Sequence, residues 1–193
     1  LIFPIKSISG RTIGFGARIL DNNKKSAKYI NSPDSIIYNK SNVLFGLYNS
    51  KNEIVKKDNC FIAEGYTDVM RFHQIGIKNI VSSSGTALTV SQINLIRRLT
   101  KNVTMLFDSD KAGVNATERA VELLLSQGMN IDICILPDSE DPDSFAKSKT
   151  REEINNYVEE NSVDFIEFKS NMLGSSIKTV SYTHLRAHET LSY

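Results

Sequence analysis

Carboxylates recur in this chain where apolar runs stop. Phe61-Ile62-Ala63 ends at Glu64, with Asp68 four residues on. Val103 to Phe107 ends at Asp108-Ser109-Asp110, and Ile131 to Leu136 leads into Asp141-Pro142-Asp143. If these runs are parallel strands of one sheet, their carboxyl ends share an edge, where open α/β sheets bind ligands. Carboxylates gathered there repel: two charges ~4 Å apart cost about 4 kcal/mol at an effective dielectric near 20. Such a cluster demands cations. Oxygen donors with no neighbouring His or Cys suit magnesium or manganese rather than zinc. Blander roles stay open for each group: Glu64 as a loop acid, Asp108 and Asp110 as helix caps, Asp141-Pro142-Asp143 as a turn and N-cap, Asp68 as a structural or solvated helix residue.

The elements that must position these acids are legible from residue 59 onward. Strand-like runs at Cys60–Ala63, Asn79–Ser82, Val103–Phe107 and Ile131–Leu136 alternate with helical patterns at Thr67–Gln74, Val90–Leu99 and Ala112–Gln127. The last helix sets Ala112, Ala116, Ala120, Leu123, Leu124 and Gln127 along one side. Thr89 with Gln92, and Thr150 with Glu153, read as capping boxes, the second opening a helix toward Met172. Gly128 is a C-terminal stop. This alternation predicts an α/β fold, a parallel sheet with helices on both faces.

Upstream, residues 3–20 pattern as a hairpin turning at Ser9-Gly10-Arg11, and Asp21 to Ser26 is a polar loop. Tyr29-Ile30 and Ile36-Ile37-Tyr38 suggest short strands around Pro33, and Val43 to Asn49 a short helix or strand. A small mixed α+β unit therefore precedes the main sheet. Lys24-Lys25 and Lys56-Lys57 read as solvated loop charges.

A length of 193 residues, 40% hydrophobic and 23% charged, is ordinary for a globular chain. No apolar stretch approaches the ~20 residues of a membrane span. Cys60 and Cys134 lie in apolar runs and read as buried reduced thiols, so the cytoplasm is the expected compartment. Leu1 in place of Met, with no leader, suggests a piece of a longer chain. Residues 1–60 carry ten Lys/Arg against four Asp/Glu, the rest thirteen against eighteen. A basic lobe beside an acidic one suits a polyanion held against a carboxylate centre. The segment 174–193 breaks the pattern and reads as a non-native or disordered tail. Its His184 and His188 lack a third ligand for a zinc site.

Taken together, Glu64-Gly65-Tyr66-Thr67-Asp68-Val69, Ser83-Ser84-Gly85-Thr86-Ala87 and Asp108-Ser109-Asp110 resemble the Toprim domain of bacterial primases, topoisomerases and some nucleases. Gly14-Phe15-Gly16-Ala17-Arg18, Lys28-Tyr29-Ile30-Asn31-Ser32-Pro33 and Phe45-Gly46-Leu47-Tyr48 narrow the likeness to the catalytic core of DnaG-type primases. Leu136-Pro137-Asp138 through Asp143 resembles that family's third acidic motif. The resemblance spans residues 3–173. It implies three parts: 1–58 as the C-terminal part of a basic N-terminal subdomain, 59–145 as Toprim, and 146–173 as the start of a helical subdomain.

The resemblance implies RNA primer synthesis on single-stranded DNA, a nucleotidyl transfer assisted by two magnesium or manganese ions about 3.5–4 Å apart. Asp108, Asp110, Asp141 and Asp143 are the expected metal ligands. Glu64 is the family's catalytic acid, as ligand or proton shuttle, with Asp68 facing the same centre. Arg18, Lys28 and Lys40 would neutralise triphosphate or primer–template phosphates, with Tyr29 and Asn31 as polar contacts. Implied partners are the single-stranded template, ribonucleoside triphosphates, the RNA primer and, through a C-terminal domain outside this chain, the replicative helicase. Zinc is expected only in an N-terminal domain outside it. No membrane partner is implied, and the core is expected to be monomeric. Alternatives are a phage-type primase–helicase, a Toprim nuclease or a Toprim-like nucleic-acid-binding module.

Overall fold

The computed structural model describes residues 1–20, 27–107, 111–137 and 140–172, and for residues 107, 111–118 and 169–172 the backbone alone. Asp108, Asp110, the 21–26 loop and the 174–193 tail lie outside the described residues.

The chain opens with a three-stranded antiparallel sheet, β1 (Ile2–Lys6), β2 (Thr12–Arg18) and β3 (Tyr29–Asn31), in the order β1-β2-β3. The hairpin turn closes through the Ser7 amide donating to the Arg11 carbonyl at 2.8 Å, with Gly10 at φ +90°. Phe3 and Ile5 point inward and join Tyr38 and Tyr66 in a small core. The expected strand at Ile36–Tyr38 does not form. Pro33 has no amide to offer a ladder. The chain instead turns back, the Ser35 amide donating to the Tyr38 carbonyl at 2.7 Å and the Tyr38 amide to the Ser35 hydroxyl. Tyr38 is buried while Ile36 and Ile37 face solvent.

After a single 3-10 turn at Lys40–Asn42, Phe45 bridges to Ser82, and α1 (Leu47–Lys57) follows. Lys56 and Lys57 therefore belong to the last helical turn, not to a loop, and there they complement the negative end of the helix dipole.

The main sheet holds β4 (Cys60–Ala63), β5 (Ile80–Ser82), β6 (Asn102–Phe107), β7 (Asn130–Ile135) and β8 (Ser162–Asp164), ordered β5-β4-β6-β7-β8. All neighbours are parallel except β8, which runs antiparallel beside β7. The helices are α2 (Tyr66–Gln74), α3 (Val90–Arg97), α4 (Lys111–Ser126), α5 (Pro142–Lys147), α6 (Arg151–Asn161) and α7 (Phe165–Met172). Strand alternation divides the interior into two layers. Ile62, Val103, Met105 and Ile133 pack on Ile93, Ile96, Val121 and Leu124. Phe61, Ala63, Leu106 and Cys134 pack on Val69, Phe72, Phe145 and Ile154. The inner strands are apolar on both faces, as burial between two helical layers requires.

The single helix expected from Thr150 toward Met172 is interrupted. Its Thr150–Glu153 capping box forms. The chain then leaves α6 at Ser162 for the short edge strand β8, with Val163 against the core. The Asp164 carboxylate restarts a helix by accepting from the Ile166 and Glu167 amides at 2.8 and 2.9 Å. Cys60 and Cys134 are buried free thiols. Burial raises both pKa values, Cys134 to about 11 against a lowering by the Ser162 hydroxyl. Among the described residues, no helix is long and apolar enough to cross a membrane.

Candidate active site

The carboxyl end of β4 delivers Glu64 and Gly65 directly into α2. Gly65 caps that helix with extended backbone and no side chain of its own. Asp68, in the first turn, supplies the missing half: its Oδ2 accepts from the Gly65 amide at 2.8 Å. Asp68 is buried, and one carboxylate oxygen is thus spent on holding the backbone beside Glu64. Glu64 lies outside the helix, exposed at the strand end, and both Glu64 and Asp68 border one pocket.

Across from Glu64 stands the Ser83–Thr86 loop. Ser84 and Gly85 both have left-handed backbone, φ +59° and +80°. The Gly85 amide donates to the Glu64 carbonyl at 3.4 Å, and the Thr86 hydroxyl to the Ser83 carbonyl at 2.9 Å. Between loop, strand end and the small sheet lies a pocket of about 290 Å³, lined among others by Lys28, Tyr29, Glu64, Asp68, Ser84 and Asp141. The basic unit therefore presents an ammonium and an exposed aromatic ring across the gap from the acidic edge.

The remaining expected site residues are placed differently. Asp141 is the N-cap of α5, its Oδ1 accepting from the Ser144 amide at 2.7 Å while the side chain still borders the pocket. Asp143 does not line it. The Arg71 Nε donates to its Oδ1 at 2.9 Å, an ion pair that ties α2 to α5. Arg18 lies over the Tyr29 ring, 5.5 Å from its centroid, one cross-strand step from the pocket. The Lys40 amide donates to Asp34 and its carbonyl accepts from Gln92, on the side of the small sheet nearer α3, and Lys40 is not among the lining residues. Asn31 has both ends of its amide engaged within the protein, with Tyr66 and with the Ser84 carbonyl.

Asp108 and Asp110 follow β6, which pairs in parallel beside β4 with Ile62 opposite Met105. Both acids lie outside the described residues. Among the described residues, no group of three or more His, Cys, Asp or Glu is gathered so as to hold a metal. The donors that do border the pocket, Glu64, Asp68 and Asp141, are all carboxylates. Carboxylate oxygens are the donor type that a hard divalent cation takes.

Two contacts near the site escape a reading of the sequence alone. Tyr66 opens α2 and is buried against the small sheet, its ring stacked on Phe3 at 4.9 Å. The one local signal for it is the Gly14-Phe15-Gly16 alternation in β2, which clears space on the inner face. Nothing in the sequence marks Arg71 as the partner of Asp143, 72 residues away.

A sequence profile of Toprim-like domains matches residues 61–146, and one described as "DNA primase catalytic core, N-terminal domain" matches residues 1–51. The DNA primase of Aquifex aeolicus is 44% identical over 158 residues, 82% of this chain and 32% of that protein. The chain thus spans about a third of the length of that curated relative. The structure of the Aquifex aeolicus primase zinc-binding and RNA polymerase domains superposes with a TM-score of 0.82 at 41% identity, covering 90% of this chain and 43% of that one. A DnaG primase catalytic domain bound to single-stranded DNA superposes with a TM-score of 0.81 at 35% identity, covering 92% and 57%.

Proposed function

We propose, since this chain belongs to the DnaG-type primase catalytic-core family, that it carries the nucleotidyl-transfer site of a DNA primase, making short RNA primers on a single-stranded template. The observation that carries this reading is the pocket that sets Lys28 and Tyr29 opposite Glu64 and Asp141. A polymerase needs both sides at once: cationic groups for the triphosphate and template phosphates, acidic groups at the reacting oxygen.

Lys28 binds the incoming triphosphate by charge, and Arg18 beside Tyr29 extends that charge along β3 toward the template. The exposed Tyr29 ring offers a stacking face to a base. Glu64 stands at the reacting end, where its carboxylate orients the primer 3′ hydroxyl. Asp68 and the Gly85 amide hold the Glu64–Gly65 backbone in place. Asp108, Asp110, Glu64 and Asp141 are the residues that would hold magnesium or manganese, while Asp143 steadies the α2–α5 contact through Arg71. Bound divalent ions supply acidification of the 3′ oxygen and neutralisation of the departing pyrophosphate. Zinc and helicase docking are assigned to parts outside this chain, and the cytoplasm to its place of action.

The test is template-directed incorporation of a labelled ribonucleotide by the intact protein in manganese, comparing wild type with Glu64→Gln. The wild type should extend and the variant should lose about 10²-fold or more, the scale of a positioned acid–base or charged group. Equal incorporation by both, or none by the wild type, would overturn the assignment.

A further inference from the structure

Resting on that reading, we propose that Asn31 and Tyr66 are positioning residues of the transfer site: their side chains form a relay that fixes the Ser84–Gly85 loop and strand β3 at a set separation across the pocket. The relay starts from a ring that cannot move. Tyr66 is 2% exposed, stacked on Phe3 at 4.9 Å and edge-on to Phe45 at 4.7 Å. A Cβ on Gly16 would stand 2.6 Å from its Cζ, so the ring fills its slot completely. Its hydroxyl donates to Asn31 Oδ1 at 2.5 Å, and Asn31 Nδ2 donates to the Ser84 carbonyl at 3.3 Å.

The two bonds fix the amide's direction. Reversing it would set the oxygen against the Ser84 carbonyl, acceptor against acceptor. The Asn31 oxygen can only accept, so the Tyr66 hydroxyl is the donor of that bond. Asn31 thus engages its oxygen and one N–H inside the protein.

What the relay joins is the pocket itself. Asn31 is two residues beyond Tyr29 on β3, and Tyr66 is two residues beyond Glu64. At the far end, Ser84 holds a left-handed backbone, which an L residue adopts at a cost. Its neighbour Gly85 donates to the Glu64 carbonyl. The Asn31 tether on the Ser84 carbonyl helps hold that conformation, beside the Ser82 hydroxyl at 3.3 Å from the Ser84 hydroxyl. The two ends of the relay thus border Glu64 on the acidic side, and its middle, Asn31, borders Tyr29 on the basic side.

Three variants separate the links. Asn31→Ala removes both bonds, Asn31→Asp keeps the acceptor for Tyr66 but loses the donor to Ser84, and Tyr66→Phe removes only the phenol. Two readouts are taken on the intact protein: hydrogen exchange of the Ser84–Thr86 amides, and kcat and KM of ribonucleotide incorporation. Exchange in the loop should rise at least ~10-fold in both Asn31 variants and less in Tyr66→Phe, with the β4 amides of Phe61–Ala63 unchanged. The kcat should fall about 10- to 100-fold, as misplacement by ~1 Å does, with KM for the template held. Unchanged loop exchange in both Asn31 variants would overturn the relay. So would a rise spread equally through β4, which marks general loosening. Because exchange needs no turnover, a wild type without polymerase activity would defeat the functional reading while leaving the relay decided by the loop.

Discussion

Replacing Gly16 by alanine puts a methyl where Tyr66 already stands. The new Cβ would lie 2.6 Å from the Tyr66 Cζ and 2.7 Å from its hydroxyl oxygen. Carbon atoms prefer ~3.5–4 Å, so the overlap is close to an ångström. Gly16 has no positive φ, and alanine would otherwise favour the fold by about 0.4–1 kcal/mol through the unfolded chain. The overlap therefore decides the sign. Tyr66 is held by Phe3, Phe45 and the Asn31 oxygen and has nowhere to withdraw. Overpacking of this kind costs roughly 1–3 kcal/mol. At ~2–4 °C per kcal/mol for a chain of this size, the midpoint should drop by about 2–12 °C. Scanning calorimetry and urea titration of wild type and Gly16→Ala measure it. The matching Gly14→Ala meets Tyr38 at 3.0 Å and should cost less. A Gly16→Ala protein as stable as wild type, or more so, would refute the claim that Tyr66 locks the small sheet onto α2.

Other consequences follow from particular contacts. Lys28→Ala should weaken binding of single-stranded DNA and flatten its salt dependence by about one phosphate contact, read by fluorescence anisotropy across salt; identical salt curves would remove Lys28 from the track. Glu153 accepts from the Thr150 amide and hydroxyl, which hold its carboxyl below the ordinary value. Its contribution is therefore present above the unfolded-state value and lost as pH falls through the lower folded-state one. Wild type should exceed Glu153→Gln in stability near neutral pH and match it in acid, and a pH-independent difference would count against the cap. Cys60 and Cys134, with thiols raised by burial, should resist a thiol reagent at mildly alkaline pH until the protein is unfolded; rapid native labelling would contradict their placement.

Much of the main sheet was legible because buried parallel strands leave a short, plain signal. The Cys60–Ala63 strand has its expected bounds, and the three other strands and three helices expected between residues 59 and 136 shift by a residue or two at their ends, where fraying and capping decide. Elements with weak local preference were harder. The helix Leu47–Lys57 carries two Asn and a Ser, poor helix formers, and is held by tertiary burial of Leu47, Ser50 and Ile54 on one face. Ile36 and Ile37 read as strand by composition, yet the turn made by Ser35 leaves them in solvent. At the site, acids at strand ends could be found by type and position. Which of them is free for chemistry could not. Asp143 is taken by Arg71, a long-range contact that no spacing encodes, and Asp68 serves the Gly65 amide, a cap masked by a glycine that has no side chain to signal it.

Diffraction from the intact protein soaked in manganese, with anomalous peaks located, tests the central claim most directly. The account predicts density at the carboxyl edge of the sheet, between Glu64 and the Asp108–Asp110 segment and facing Lys28. Peaks confined to other surfaces at saturating manganese, with the Glu64 and Asp108 side chains ordered and bare, would contradict it.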